Sequence, residues 1–170
     1  MVEKMKKQAT TILCVTILFC MLLATGCWDR PFYDSTVEGN RLSKEILGYL
    51  ENDDAEGLKS MFCEITRESP TLDEEIQAAL EFFEGKITDY EKITVLTSSE
   101  ESVRDGQIVF YFIGPYVKDI ETDAGKVYTI KTCTFLVHAK DEKKVGVSEI
   151  LIADGNGDEC VVGEFLDDYS

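Results

Sequence analysis

Apolar residues recur at helical spacing in the stretch that follows residue 35. Positions three and four apart share one face of a helix, so three such stripes predict three amphipathic helices. The stripes are Leu42, Ile46, Leu47 and Leu50, then Leu58, Met61, Phe62 and Ile65, then Leu72, Ile76, Ala79, Leu80 and Phe83. We expect these faces to pack into a core, and a helix-lined cofactor box is the alternative interpretation.

Each predicted helix begins with a capping pattern, an oxygen-bearing side chain three residues before a Glu. The pairs are Ser35 with Glu38, Asp53 with Glu56, and Thr71 with Glu74. Ser69-Pro70 separates the second helix from the third, and Gly85 fits a C-cap for the third. The first part of the domain is therefore predicted to be helical.

After Gly85 the apolar period changes to the alternation that is typical of strands. Asp105-Gly106 predicts a hairpin turn, because Gly tolerates positive φ. Gly114-Pro115 predicts a bulge or sharp bend, because Pro cannot donate to a sheet ladder. The predicted strands are Tyr90–Thr97, Gln107–Ile120, Val127–Ala139 and Lys144–Ala153, with a short fifth strand in the tail after Cys160.

This order predicts an α+β fold, with three N-terminal helices packed on a strongly curved antiparallel sheet of four or more strands. The second strand is apolar on both faces, with Phe110 and Phe112 on one and Tyr111 and Ile113 on the other. One face can cover the helices. The other is then left for a pocket, a dimer contact or a flanking C-terminal segment.

The N-terminus has the parts of a secretory signal: lysines among the first seven residues, an uncharged apolar run over 10–23, and small residues before Cys27. The run is too short for an ordinary membrane-spanning helix. Ala24-Thr25-Gly26-Cys27 resembles the lipobox of bacterial lipoproteins, in which the cut falls before a cysteine whose sulfur carries a diacylglycerol. That family favours Leu at the position of Ala24. An unmodified Cys27 is the alternative.

The lipobox resemblance implies a signal peptide over 1–26 and a short membrane tether over 27–34. The length of the remainder and its helix and strand patterns predict a single α+β domain over 35–170. The lipobox resemblance also implies a location at the cell membrane, lipid-anchored on the extracytoplasmic face. Acyl chains contribute about 0.8 kcal/mol per buried CH₂, so the membrane is the first expected partner.

The chain is strongly acidic, with a formal net charge of −16. Removal of the lysine-rich signal leaves the remainder more acidic still. Such a charge argues against nucleic acid as a partner and against electrostatic docking on anionic lipid. Solubility outside the cell explains the charge, and a cationic partner is the alternative.

The six cysteines do not form an obvious framework. Cys14 and Cys20 fall in the predicted signal, and Cys27 is the predicted lipidation site. Those left in the domain are Cys63, Cys133 and Cys160. This odd number allows at most one internal disulfide. Without metal-ligand spacing or a nearby His, no zinc site is predicted, and burial as small apolar residues is expected.

Candidate chemistry is sparse, and no catalytic residue, cofactor or metal is predicted. His138 precedes a turn, where we expect it to be exposed and not a general base. Asp154–Asp158 opens like a calcium loop, but Glu159 and Phe165 replace the Gly and Glu of an EF-hand. A turn or a weak calcium site are the remaining interpretations.

Four residues are candidates for lining a ligand pocket: Tyr111, Tyr116, Tyr128 and Glu149. Tyrosine suits a pocket mouth because it has an apolar body and a polar tip, and core packing is the alternative. Glu149 alternates with Val147 and Leu151, so in a regular strand it shares their apolar face, where a carboxylate is a candidate for acid–base chemistry. Pairing with Lys131 at an open edge is the alternative.

Five short segments carry a family resemblance: Tyr116-Val117-Lys118, Thr122-Asp123, Gly125-Lys126, Tyr128-Thr129-Ile130 and Val145-Gly146-Val147. Over residues 35–153 the chain resembles an uncharacterised family of small lipoproteins from Gram-positive bacteria. The resemblance implies a nuclear-transport-factor-2-like, or cystatin-like, cone fold. Some relatives in that fold, such as ketosteroid isomerase and SnoaL-type cyclases, place acid–base residues in the cone, whereas others are binding or accessory domains.

The expected function is therefore a membrane-anchored lipoprotein with a non-catalytic binding or accessory domain for an unknown small molecule or protein. A small cone-pocket enzyme with carboxylate and His chemistry is one alternative. A homodimeric structural or assembly module is the other.

Overall fold

Four helices form a layer on one face of an antiparallel sheet in the computed structural model, which describes residues 34–95 and 100–166. The predicted α+β class is confirmed. The helices are α1 (Ser35–Glu51), α2 (Ala55–Met61), α3 (Glu64–Arg67) and α4 (Leu72–Phe82). The strands are β1 (Ile87–Asp89), β2 (Thr94–Val95), β3 (Glu100–Arg104), β4 (Gln107–Ile113), β5 (Pro115–Thr122), β6 (Val127–His138), β7 (Gly146–Asp154) and β8 (Glu159–Gly163). Within the described ranges, no helix is long and apolar enough to span a membrane.

The helix count differs from the predicted three because the predicted second helix breaks at Phe62 and Cys63, whose backbones are extended. Phe62 forms a parallel bridge with Val147. The N–H of Cys63 donates to the carbonyl oxygen of Val147 at 2.8 Å. Pairing with a strand far along the chain therefore overrides the local helical spacing.

The helix caps also differ in detail from the predicted boxes. Asp34 caps α1 by accepting two backbone N–H groups of the first turn at 2.8 and 3.2 Å, and Asp54 caps α2 with one at 2.8 Å. Each lies one residue from the predicted cap. Thr71 does occupy the N-cap of α4, but its hydroxyl donates to Glu75 at 2.6 Å and closes no capping box.

The described strands form one sheet that is not closed, with β6 at its centre. One side of β6 pairs with β7, which pairs with β8, and the other side pairs with both β4 and β5. β4 and β5 are the two halves of the predicted second strand, interrupted at Gly114 as the Gly114-Pro115 pattern indicates. The predicted turn at Asp105 and Gly106 has φ of 51° and 77° and joins β4 to β3.

Two parts of the strand prediction were wrong or incomplete. Of the predicted strand Tyr90–Thr97, only β2 is a strand within the described residues. The strand that pairs across the hairpin turn is instead the charged segment β3, which carries no apolar alternation and pairs among the described strands only with β4. The short fifth strand after the last turn is confirmed as β8.

The core consists of two apolar clusters between the helices and the sheet. The larger cluster joins the buried faces of α1, α2 and α4 to β5–β8. The smaller cluster contains Leu42, Tyr111 and Ile113. Met61 at the end of α2 packs against both, so the two clusters meet beneath that residue.

Candidate functional site

Side chains of β5–β8 alternate between two faces of the sheet. Val117, Ile130, Ile150 and Val162 are buried in the larger cluster. The residues that alternate with them point away from the helices, and we call their surface the outer face. Its members include Tyr116, Lys118, Glu121, Thr129, Lys131, Cys133, Glu149, Leu151, Glu159 and Val161. Each of these side chains is exposed or half-buried.

Tyr116 lies beside two ammonium groups on the outer face. The Nζ atoms of Lys118 and Lys131 are 5.1 and 5.5 Å from the centre of its ring. Cation–π contacts of this kind contribute about 0.5–1 kcal/mol at exposed sites. The register of β5 and β6 sets the contact, because Tyr116 and Lys131 are direct partners. Two ammonium groups therefore flank the Tyr116 ring, although the whole chain is acidic.

Cys133 and Glu149 lie opposite each other on β6 and β7. The Cys133 thiol donates to the Glu149 carboxylate, with 3.9 Å between Sγ and Oε1. Burial raises the pKa of Cys133 to about 11, and the charge and hydrogen bond of Glu149 act in the same direction. The thiol therefore stays protonated at neutral pH, where the thiolate is the reactive form.

Glu149 points outward because β7 contains one extra residue at Ser148. Cys133 pairs with Glu149 while the next residue of β6 pairs with Val147. A bulge of this kind changes the alternation, so Val147 and Ile150 both reach the core. The expectation that Glu149 shares the face of Val147 is wrong. By regular alternation after the bulge, Glu149 shares its face with Leu151.

The other two candidate tyrosines lie on the helix side of the sheet. Tyr128 stacks on Phe83 with 4.6 Å between ring centres. Its hydroxyl donates to the carbonyl oxygen of Phe82 at 2.9 Å and accepts the N–H of Glu84 at 3.0 Å, at the end of α4. Tyr111 is buried in the smaller cluster. The structure thus places Tyr116 and Glu149 on one face and packs Tyr111 and Tyr128 in the core.

His138 is buried, at 4% exposure, so the expectation of an exposed side chain is wrong. Its ring meets Phe110 and Phe135 at 5.7 and 5.6 Å between centres. Its Nδ1 accepts the backbone N–H of Asp141 at 3.0 Å, so the proton of a neutral ring is on Nε2. A shallow pocket of about 470 Å³ lies beside it, lined by Leu136, Val137, His138, Ala139, Glu142 and Val145.

The second apolar face of β4 is partly covered by the segment that follows β8. Phe112 contacts Phe135 at 5.2 Å and Phe165 at 6.1 Å between ring centres. A flanking C-terminal segment is one of the three roles that the sequence indicates for this face. Because Phe165 remains 58% exposed, the cover is incomplete.

The Asp154–Asp158 segment forms the turn between β7 and β8. The Asp154 carboxylate accepts the N–H groups of Asn156 and Asp158 at 2.8 and 3.0 Å. Desolvation opposes ionisation, but the donated hydrogen bonds outweigh it, so the pKa of Asp154 lies below its ordinary value. Within the described ranges, no group of His, Cys, Asp and Glu is placed to hold a metal ion.

The three cysteines of the domain are free thiols in different surroundings. Cys63 is buried beside the Thr66 hydroxyl, with 3.3 Å between Sγ and Oγ1. Cys160 packs against the larger cluster, and burial, then the charge of Glu75, raises its pKa. Among the three, Cys133 is on the outer face. The predicted lipidation site, Cys27, lies outside the described residues.

Sequence reasoning did not place Lys118 and Cys133 with Tyr116 and Glu149. The sequence signal that could have found them is the two-residue period of a strand, because side chains two residues apart lie on the same face. Lys118 is two residues after Tyr116, and Cys133 is two residues after Lys131. Only the registers of β5 against β6 and of β6 against β7 show that these residues share one surface. The outer face is therefore the candidate functional site.

These features define an α+β domain with helices on one face of a sheet and a charged, aromatic surface on the other. Residues 45–155 match the family described as a domain of unknown function, DUF5104, and the chain belongs to that family. No curated protein matches the chain. The matched region runs from within α1 to the turn after β7, so it contains most of the outer face.

Proposed function

We propose that this chain is a membrane-anchored extracytoplasmic lipoprotein whose domain binds a ligand or protein and performs no reaction. The observation that carries the anchor is Ala24-Thr25-Gly26-Cys27, which directly follows a basic start and a short apolar run. In lipoproteins of this pattern the cysteine carries the acyl chains. Two or more chains hold a protein stably at a bilayer.

The proposal extends to the fold. We infer a relationship to the cone-shaped nuclear-transport-factor-2-like domains and to their uncharacterised lipoprotein members. Helices on one face of an antiparallel sheet, and the interruption of the β4–β5 strand at Gly114, support this relationship. Many domains of that fold bind a partner without catalysis, although fold alone does not decide function.

The outer face supports binding over the enzyme alternative. Its members present an aromatic ring, two cations and several carboxylates on one surface, which suits recognition of a charged partner. The two acid–base candidates do not converge, since Glu149 contacts Cys133 whereas His138 packs among phenyl rings. Cys133 and His138 are separated by roughly 16 Å along β6, at the usual rise of a strand.

Metabolic labelling of the full chain with an alkyne fatty acid in a bacterial host tests the anchor. We expect label on the wild-type protein, recovery in the membrane fraction, and a mature N-terminus at Cys27 by mass spectrometry. Cys27→Ala should lose the label, whereas the matched variant Cys20→Ala should keep it. Equal labelling of the two variants would overturn the anchor.

A further inference from the structure

The described part of the chain ends on an aromatic surface of the sheet. The N–H of Glu164 donates to the carbonyl oxygen of Ser148 at 3.0 Å, so the pairing with β7 continues one residue past β8. Phe165 then lies against Phe112, with 6.1 Å between ring centres. The four residues that follow Leu166 in the sequence lie outside the described residues: Asp167, Asp168, Tyr169 and Ser170.

A continuous row of rings leads from Phe165 to the pocket beside His138. Phe112 contacts Phe135 at 5.2 Å, and Phe135 contacts His138 at 5.6 Å between ring centres. His138 lines the pocket of about 470 Å³ at the end of β6. Four residues in an extended conformation span roughly 13 Å, to which the length of a side chain is added. The 167–170 segment is therefore long enough to reach the pocket.

The pocket is lined mainly by apolar side chains and lies beside a turn that is rich in lysine. Its apolar members are Leu136, Val137, Ala139 and Val145. The turn has the sequence His138-Ala139-Lys140-Asp141-Glu142-Lys143-Lys144. It contains three lysines and two carboxylates, in a chain whose formal net charge is −16. The site thus offers an apolar surface next to a locally basic one.

The charged groups of this turn have different surroundings. The Asp141 carboxylate accepts the backbone N–H of Lys143 at 3.1 Å, and Glu142 is exposed at the pocket. The Lys143 ammonium pairs with Glu64 at 2.7 Å. Lys140 is exposed and forms no salt bridge among residues 34–95 and 100–166. No described carboxylate therefore neutralises the Lys140 ammonium directly.

We propose that the 167–170 segment folds back over this pocket, with the Tyr169 ring on its apolar lining and the two Asp carboxylates beside the lysines of the turn. An aromatic ring suits an apolar pocket, and carboxylates suit exposed ammonium groups. The contact continues one that the structure shows, since Phe165 already covers part of the β4 face. The pocket is then filled from within the chain, and a ligand enters it only by displacing the segment. This inference does not depend on the proposed lipid anchor.

The His138 ring reports on the cover of the pocket, because the chain contains one histidine. The rate of its modification by diethyl pyrocarbonate, added to the full chain in membranes, is read from the His138 peptide by mass spectrometry. Tyr169→Ala and a chain that ends at Leu166 should each react about tenfold faster than wild type, because the ring loses its cover. Tyr169→Phe keeps the aromatic ring and should react at the wild-type rate. Glu164→Gln, which removes a charge just before the segment, should also leave the rate unchanged.

Charge reversal tests the contact with the turn. Asp167→Lys combined with Asp168→Lys should raise the His138 rate about tenfold, because the lysines of the turn would then repel the segment. Adding Lys140→Glu to this double variant should restore part of the protection. Adding Lys118→Glu instead, which reverses an exposed lysine of β5, should restore none.

Urea denaturation of every variant separates loss of this contact from loss of the fold. A faster reaction of His138 at an unchanged free energy of unfolding supports the proposal. Equal rates in wild type, Tyr169→Ala and the chain that ends at Leu166 would overturn it. A rate that rises only in proportion to lost stability would overturn it too, because the reagent would then reach the ring through unfolding. Equal recovery with Lys140→Glu and Lys118→Glu, or recovery with neither, would overturn the contact between the segment and the turn.

Discussion

At the scale of single residues, two threonines stand out in the core face of β6. The hydroxyls of Thr132 and Thr134 are buried without a hydrogen-bond partner among the described residues. A buried unsatisfied hydroxyl costs about 1–3 kcal/mol. Because Val has nearly the shape of Thr, Thr132→Val and Thr134→Val should each raise the free energy of unfolding by about 1 kcal/mol, measured by urea denaturation.

Thr129→Val is the matched control for this prediction. Thr129 lies on the same strand but is half-buried on the opposite side, so its change should stay within about 0.5 kcal/mol. A loss of stability on either core substitution would contradict the prediction. It would mean that the native hydroxyl has a bonding partner in solution.

Cys133 carries the second prediction at this scale. Because its pKa is raised to about 11 from 9.0, the rate of labelling by a monofunctional maleimide should climb through pH 9 and level off only near 11. Glu149→Gln removes a negative charge that opposes the thiolate, so labelling at pH 8 should become severalfold faster. Glu159→Gln, farther along the outer face, should leave the rate unchanged. An inflection at 9.0 in the wild-type chain would contradict this account.

The sequence predicted the conformation or environment of a residue correctly only where its immediate neighbours in the chain determine it. Asp105-Gly106 forms the expected turn because positive φ is a local requirement. Glu149 and His138 were misplaced because their surroundings come from other strands. An extra residue at Ser148 turns Glu149 outward, and the rings of Phe110 and Phe135 bury His138. Neither effect leaves a signal in the nearby sequence.

At the scale of elements, the break between α2 and α3 depends on a close approach to the start of β7. A Cβ at Gly146 would lie 2.9 Å from the backbone nitrogen of Cys63, and the Gly146 φ is +129°. Gly146→Ala should therefore lower the free energy of unfolding by about 3 kcal/mol, through backbone strain and the lost Cys63–Val147 hydrogen bond. Gly125→Ala is the control, because φ there is +73° with nothing within 4 Å of a new Cβ.

The control should lose only about 1 kcal/mol in the same urea experiment. Equal losses would show that backbone φ alone is responsible and that the approach to Cys63 is unimportant. This contact also explains the error in helix number. Leu58, Met61, Phe62 and Ile65 have helical spacing, and only a strand more than eighty residues later makes Phe62 and Cys63 extended.

At the scale of the whole molecule, the edge strands β3 and β8 differ in their cover. Among the described strands, β3 pairs only with β4 and β8 only with β7. The β8 edge is met by α4, since the N–H of Gly163 donates to the Glu75 carboxylate at 2.8 Å. No corresponding bond from a described helix reaches β3, where Val103 is 55% exposed. The molecule is therefore expected to open from its β3 side.

Native-state hydrogen exchange measures this asymmetry. Amides of β6, which is paired on both sides, should exchange only with global unfolding, so their exchange free energies should equal the value from urea denaturation. Amides of β3 should exchange at least about a hundredfold faster through local opening, with β8 between them. Glu75→Gln weakens the hydrogen-bond acceptor for the Gly163 N–H. The exchange rates of the β8 amides should therefore rise towards those of β3, while the β3 rates stay the same. Protection of β3 equal to that of β6 would mean that the hairpin opens only with the core.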